Sequence, residues 1–335
     1  MASLKSLAKD TAIYGMSSII GRFLNYLLVP LYTAKISAAS GGYGVITNMY
    51  AYTALILVIL TYGMETTFFR FVNKEEENSE KVYHTVLCMV GTTSLLFIAL
   101  VFLFISPLSN MMGYADHPAY VWTMFVTVAI DAFQCIPFAY LRFKKRPLKF
   151  AAFKLLFIGM NILLNIVYYV FMDGHDVGYA FYINLVCTAS ITFCFYKEII
   201  EGFRGEKASW AETKVLIKKM LGYSWPILVL GIAGILNQTA DKILFPYIYK
   251  GANAHEQLGI YGAASKIAMI MAMITQAFRF AYEPFVFGNA KEKDNRKMYA
   301  SAMKYFVIFT LLAFLVVVGY MDLLRHIIGR DYWEG

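Results

Sequence analysis

The sequence predicts an all-α, polytopic membrane bundle of two lobes related by a parallel repeat, with the N-terminus in the cytoplasm. Three observations carry that prediction. About nine apolar runs are long enough to cross a bilayer. The loops between them alternate between rich and poor in basic residues. The seventh to ninth runs repeat features of the first three.

The apolar runs follow from composition. Of 335 residues 59% are hydrophobic, 17% aromatic and only 16% charged, and mean hydropathy is +0.56. A soluble domain is about 25% charged, so this balance excludes an ordinary soluble fold. Runs of roughly 20 residues span about 30 Å of hydrocarbon. They fall at 11–32, 44–63, 82–105, 119–141, 150–172, 177–196, 222–245, 258–280 and 302–323. The first contains Arg22 at its middle, too polar for a signal-peptide core, and reads as a retained span. The cysteines Cys88, Cys135, Cys187 and Cys194 lie in apolar runs without a CxxC pair, which leaves packing rather than zinc or redox chemistry.

Lysine and arginine set the orientation. Of the 30 in the chain, nearly all fall on one set of loops, in groups such as Arg142, Lys144, Lys145, Arg146 and Lys149. The opposite set holds only Lys35, Lys250, Arg325 and Arg330. The positive-inside rule puts the rich set, and the N-terminus, in the cytoplasm. The net charge of +8 is thereby explained by topology and by contact with membrane lipid, with no nucleic acid implied. The longest cytoplasmic stretch between spans, 197–221, contains the amphipathic run Trp210–Lys219. It reads as a linker with an interfacial helix between a six-helix lobe, 1–196, and a partial three-helix lobe, 222–335.

The repeat places Pro30 on Pro246. Gly15, Ser18, Arg22 and Asn25 then fall on Gly231, Gly234, Gln238 and Asp241. Both sets are spaced 3, 4 and 3, so each occupies one helical face. Two extra loop residues then bring Tyr43-Gly44 onto Tyr261-Gly262 and Glu65 onto Glu283. Six spans separate the copies, so both run in the same direction. Parallel repeats of this kind belong to two-lobed transporters with a central site and alternating access.

The segments Gln238–Pro246, Leu258–Ala268 and Gln276–Phe285, with Gly42-Tyr-Gly44 and the opening Tyr-Gly…Gly-Arg…Pro-Leu-Tyr pattern, resemble the polysaccharide-transporter branch of the multidrug/oligosaccharidyl-lipid/polysaccharide flippase superfamily. The resemblance implies a V-shaped bundle in the bacterial plasma membrane. It also implies export of a lipid-linked oligosaccharide to the outer leaflet for cell-surface polysaccharide; a proton or sodium ion is a candidate further partner for the charged residues in the spans. Members usually have twelve to fourteen spans. The second lobe here stops after three, so the sequence is expected to be truncated.

Candidate site residues follow from charge placed in the membrane, which is costly unless partnered or in a wet cavity. Arg22 either contacts a diphosphate or acidic sugar, whose geometry a guanidinium matches, or pairs with a neighbouring acid. The resemblance favours the first, because peptidoglycan-precursor flippases line their cavity with arginines. Asn25, Gln238 and Asp241 complete the two facing polar stripes. Asp241 can bind an ion, bond to sugar or pair with Lys266, itself an ion-coupling or gate candidate; Lys242, pointing about 100° away, is expected to snorkel or pair elsewhere. Asp131, mid-span, is an ion-coupling candidate or a satisfied hydrogen-bonding group. Glu65 and Glu283, with Arg70 and Arg279, form either a cytoplasmic gate or ordinary interfacial ion pairs. Asn161, Asn165 and Asn184 read as interhelical hydrogen-bonding groups. The histidines lack metal-ligand spacing. No cofactor, metal or catalytic residue is called.

The leading reading is thus a flippase for a lipid-linked glycan. A drug or cation antiporter of the same superfamily would favour a more acidic cavity. A non-transporting scaffold fits a partial second lobe. A membrane glycosyltransferase would need an acidic metal motif or a large external loop, and the external stretch 106–118 offers only Asp116 and His117.

Overall fold

The structure, a computed structural model, describes residues 26–73, 78–205, 209–289 and 295–333, with the side chains of 270, 273, 274, 276–289, 295–298 and 302 excepted. Every regular element among them is helical. The helices are α1 Leu28–Lys35, α2 Gly42–Thr61, α3 Met64–Val72, α4 Ser79–Leu103, α5 Ile105–Met111, α6 Pro118–Phe143, α7 Pro147–Ile166, α8 Gly178–Cys194, α9 Tyr196–Arg204, α10 Trp210–Ile248, α11 Ala254–Asn289, α12 Asn295–Gly319 and α13 Met321–Leu324.

Among the described residues six helical stretches are long and apolar enough to cross a membrane, and the bent pair α8–α9 makes a seventh. They account for the expected spans two to seven and nine. The expected eighth span, 258–280, lies within the 36-residue α11. Most of the first, including Arg22 and Asn25, lies outside the described residues.

Local chemistry sets the breaks. Consecutive left-handed residues, Tyr62 at φ 32° and Gly63 at φ 72°, end α2 and redirect the chain into α3. Gly63 also sits against Ile227 and the Ser224 carbonyl of α10. Proline opens α6 and α7 at their first turns, where a missing N–H costs nothing. A π-helical turn, Val167–Phe171, closes α7.

The linker differs from the expectation. Trp210–Lys219 forms the first turns of a 39-residue α10 rather than a separate interfacial helix. Ser209 caps that helix: its Oγ accepts from the Glu212 N–H at 3.3 Å, and the Glu212 carboxylate accepts from the Ser209 N–H at 2.9 Å. No helix stop intervenes before the apolar run, so helix propagates straight into the span. The short helix lying across the bundle end is instead α9, bent 51° from α8.

The centre of the packing is α2, which touches α6, α10 and α11 together. Its external end meets α11 without intervening side chains. A Cβ on Gly44 would collide with the His255 carbonyl, one on Gly259 would lie 2.9 Å from the Gly44 nitrogen, and one on Gly262 would strike Thr47. Gly44 and Gly262 are repeat partners and both lie at this contact, Gly44 against His255 and Gly259 and Gly262 against Thr47. Backbones approach this closely in membranes only where side chains are absent.

On the same side, residues 328–333 fold back over the α1–α2 turn. The Tyr332 hydroxyl accepts from the Tyr43 N–H at 3.1 Å and donates to the Ile36 carbonyl at 2.9 Å. Burial pushes this phenol up to about 12, which keeps it a donor at neutral pH.

Candidate functional site

The first polar cluster joins α2 to α10 and α11. It begins with Pro246, which has no N–H to give the carbonyl of Lys242 one turn earlier. That orphaned acceptor is taken by Asn48 of α2, whose Nδ2 donates to the Lys242 carbonyl at 2.8 Å. The Asn48 Oδ1 accepts from the Tyr114 hydroxyl at 2.8 Å, and both side chains are buried. A proline in one helix is thus repaired by an amide from another, the usual way broken backbone is tolerated in a membrane. Sequence reasoning passed over Asn48. Its signal was a lone amide in the apolar second span, with a proline at the end of the seventh span in the other copy of the repeat.

Asp241 follows on the exposed face of α10. Its Oδ2 accepts from the Tyr261 hydroxyl of α11 at 2.5 Å and from Lys242 Nζ at 3.0 Å. This corrects two expectations. Lys242 does not point elsewhere: its four-carbon stem curls back, so Nζ also reaches the Gln238 carbonyl at 3.1 Å. The ion-pair partner of Asp241 is therefore its chain neighbour Lys242, not Lys266. Gln238 is exposed one turn before Asp241.

Lys266 is half-buried on α11 and has no carboxylate partner among the described residues. Its place in the repeat is informative. The offset that relates Gly44 to Gly262 also relates Asn48 to Lys266. The second copy thus carries an ammonium where the first has the amide of Asn48, and the first carries Pro30 where the second has Pro246.

The second cluster links α6, α7 and α8. Asp131 Oδ1 accepts from the Thr188 hydroxyl at 3.3 Å. Gln134 donates to the Thr188 carbonyl at 2.7 Å and to the Thr192 hydroxyl at 2.8 Å. Lys154 of α7 lies near this cluster, its Nζ 4.0 Å over the Phe138 ring. Asn165 accepts from the Tyr32 hydroxyl at 2.9 Å and Asn184 donates to the Tyr50 hydroxyl at 3.0 Å, the interhelical role expected of them.

Of the remaining candidates, Glu65 forms an ion pair with Arg142 at the end of α6. Arg70 lies 4.1 Å over the Tyr223 ring of α10 rather than beside Glu65. The break at Tyr62-Gly63 turns Glu65 toward α6. The side chain of Glu283, with Arg279, lies outside the described residues, as do Arg22 and Asn25.

A many-spanned, wholly helical bundle with charged groups held between its helices is the build of a multi-pass membrane transporter. The comparisons narrow that class. Residues 7–281 match the model of the polysaccharide biosynthesis protein family, and the chain belongs to that family. A protein of the Lsg locus of Haemophilus influenzae is 19% identical over 340 residues, covering 97% of this chain and 77% of that one. Among solved structures, an inward-facing multidrug resistance MATE family transporter of the MOP superfamily aligns with a TM-score of 0.67 at 14% identity, over 96% of this chain and 75% of the other. A MOP superfamily transporter from Pyrococcus furiosus, for which a reversed polarity of the binding pocket suggests a different function, aligns with a TM-score of 0.58 at 15% identity, over 97% and 77%. Identities this low establish the fold alone. The family and the neighbouring folds are those of transporters, not enzymes.

Proposed function

We propose that this chain carries a lipid-linked oligosaccharide, its glycan on a polyprenyl diphosphate, from the inner to the outer leaflet of a bacterial plasma membrane by alternating access. Family membership sets the context. The observation that carries the substrate class is the charge balance between the repeats. Asp241 is neutralised by Lys242, whereas Lys266 is half-buried with no carboxylate partner among the described residues. Among the described side chains of the eighth span, 258–280, the charge is that of Lys266, a cation that suits a diphosphate. Arg22 and Asn25 are proposed to add to it from the first span, and Gln238 to bond the sugar. The lobes proposed to move are 1–196 and 222–335, about the linker 197–221.

Asp131, held by a single hydroxyl at 3.3 Å, supports a proton or sodium ion as coupling partner. Glu65 and Glu283 remain gate candidates, with Glu65 anchored by Arg142.

The test is export of surface polysaccharide in cells relying on this protein. Lys266→Ala and Arg22→Ala are expected to abolish export while the protein accumulates in the membrane, and Lys266→Arg to retain it. Normal export by both alanine variants overturns the substrate class. Cation export driven by an ion gradient, unaffected by those variants, identifies an antiporter instead.

A further inference from the structure

The bend at α9 creates a cavity that the transport reading does not use. One side of α9 is locked into the bundle. Glu198, with no exposed surface, accepts from Lys149 Nζ at 2.5 Å and lies 3.6 Å from Arg146. Gly202 lies so close to α4 that a Cβ there would come within 2.7 Å of the Tyr83 ring and 2.8 Å of Leu87. The other side carries Lys197, Ile200, Glu201 and Arg204, which share one face by their spacing. With Glu80, Gly205, Tyr196 and the stacked pair Tyr83 and Tyr140, whose centroids are 3.8 Å apart, they line a cavity of about 470 Å³.

The chemistry of this cavity is mixed. It holds two cations, Lys197 and Arg204, and two carboxylates, Glu80 and Glu201. Glu201 Oε1 accepts from the Tyr140 hydroxyl at 2.6 Å and lies 3.7 Å from Lys144. Its Oε2 has no partner among the described residues. The positive-inside assignment puts α9 at the cytoplasmic surface, and Tyr196, Ile200 and Phe203 present exposed apolar surface there, as an interfacial helix does.

We propose that this cavity binds the head group of a membrane phospholipid bearing a primary amine, a phosphoethanolamine. The phosphate sits on Lys197 and Arg204, the ammonium donates to Glu201 and Glu80, and the acyl chains run beside Ile200 and Tyr196. A purely anionic head group meets two carboxylates. A free phosphate has no use for the apolar rim. A choline head group cannot donate hydrogen bonds to the carboxylates.

The test is native mass spectrometry of the purified protein equilibrated with equimolar dioleoyl phosphatidylethanolamine, phosphatidylcholine and phosphatidylglycerol. The ethanolamine lipid is expected in about fivefold excess over each competitor, the ratio one surface charge pair supplies. Lys197→Ala/Arg204→Ala is expected to reduce all bound lipid. Glu80→Gln/Glu201→Gln is expected to remove the preference for ethanolamine over glycerol. Selection of phosphatidylglycerol by the wild type, no selection, or a preference that survives both variants overturns the proposal. If the glutamine pair does not accumulate, the Lys197→Ala/Arg204→Ala variant, on the exposed face, decides alone.

Discussion

Asn48→Leu tests the repair of α10 at Pro246. The substitution keeps the volume near that of asparagine and removes two hydrogen bonds, one to the Lys242 carbonyl and one from the Tyr114 hydroxyl, each 2.8 Å. Tyr114 is only 4% exposed, so its hydroxyl loses its partner where water does not replace it. A net hydrogen bond is worth about 1 kcal/mol and a buried orphan costs about 1–3 kcal/mol. Interhelical hydrogen bonds in membranes average nearer 0.6 kcal/mol, which draws the total down to about 2 kcal/mol. The assay is equilibrium unfolding of the purified protein in mixed micelles, run as a double-mutant cycle with Pro246→Ala. Alanine at 246 restores an N–H that can bond the Lys242 carbonyl along the helix, so the amide of Asn48 becomes partly redundant. The cycle should then show a coupling of about 1 kcal/mol. Additive effects of the two substitutions would refute the claim that Asn48 compensates for the proline.

Three further outcomes are expected. Lys149→Ala leaves the fully buried Glu198 with Arg146 at 3.6 Å as its described ion-pair partner and should cost about 3 kcal/mol in the same unfolding assay; an unchanged midpoint would show that the pair is not closed in solution. Gly44→Val drives a side chain into the His255 carbonyl and should prevent stable accumulation, read by fluorescence-detected gel filtration, whereas a normal monodisperse peak would mean that α2 and α11 are further apart. Asp131→Asn keeps an acceptor for Thr188 but cannot ionise, so export should lose its dependence on the proton or sodium gradient at unchanged protein level. Gradient dependence that persists removes Asp131 from the coupling role.

Much of the architecture is written in one-dimensional patterns, because the bilayer admits few solutions. Hydrocarbon thickness sets span length. The cost of moving lysine and arginine across a membrane sets orientation. Helical periodicity sets which residues share a face, and Gln238 and Asp241 do lie on one side of α10. The asparagines also did what lone amides do between helices, Asn165 bonding Tyr32 and Asn184 bonding Tyr50.

Partner choice was not legible in the same way. Periodicity fixes where a Cα–Cβ vector points but not where the end of a long flexible side chain goes. Lys242 therefore curled back onto Asp241, against the 100° rule, and Lys266 has no carboxylate partner among the described residues. Linker geometry was equally hidden. The amphipathic run Trp210–Lys219 reads as interfacial, yet its capping box starts a helix that nothing stops, and the bend falls between α8 and α9 instead.

What the sequence by itself determined is the class of protein, its span positions, its orientation and its internal repeat. These are summed properties of many residues, against which a single misread side chain weighs little. What only the tertiary structure decided is which groups meet: Asn48 at the carbonyl freed by Pro246, Glu65 on Arg142, Gly44 against Gly259, and a mixed-charge cavity under α9. Each of these depends on two segments far apart in the chain arriving within hydrogen-bonding or van der Waals reach, a distance that packing sets and that no local pattern encodes.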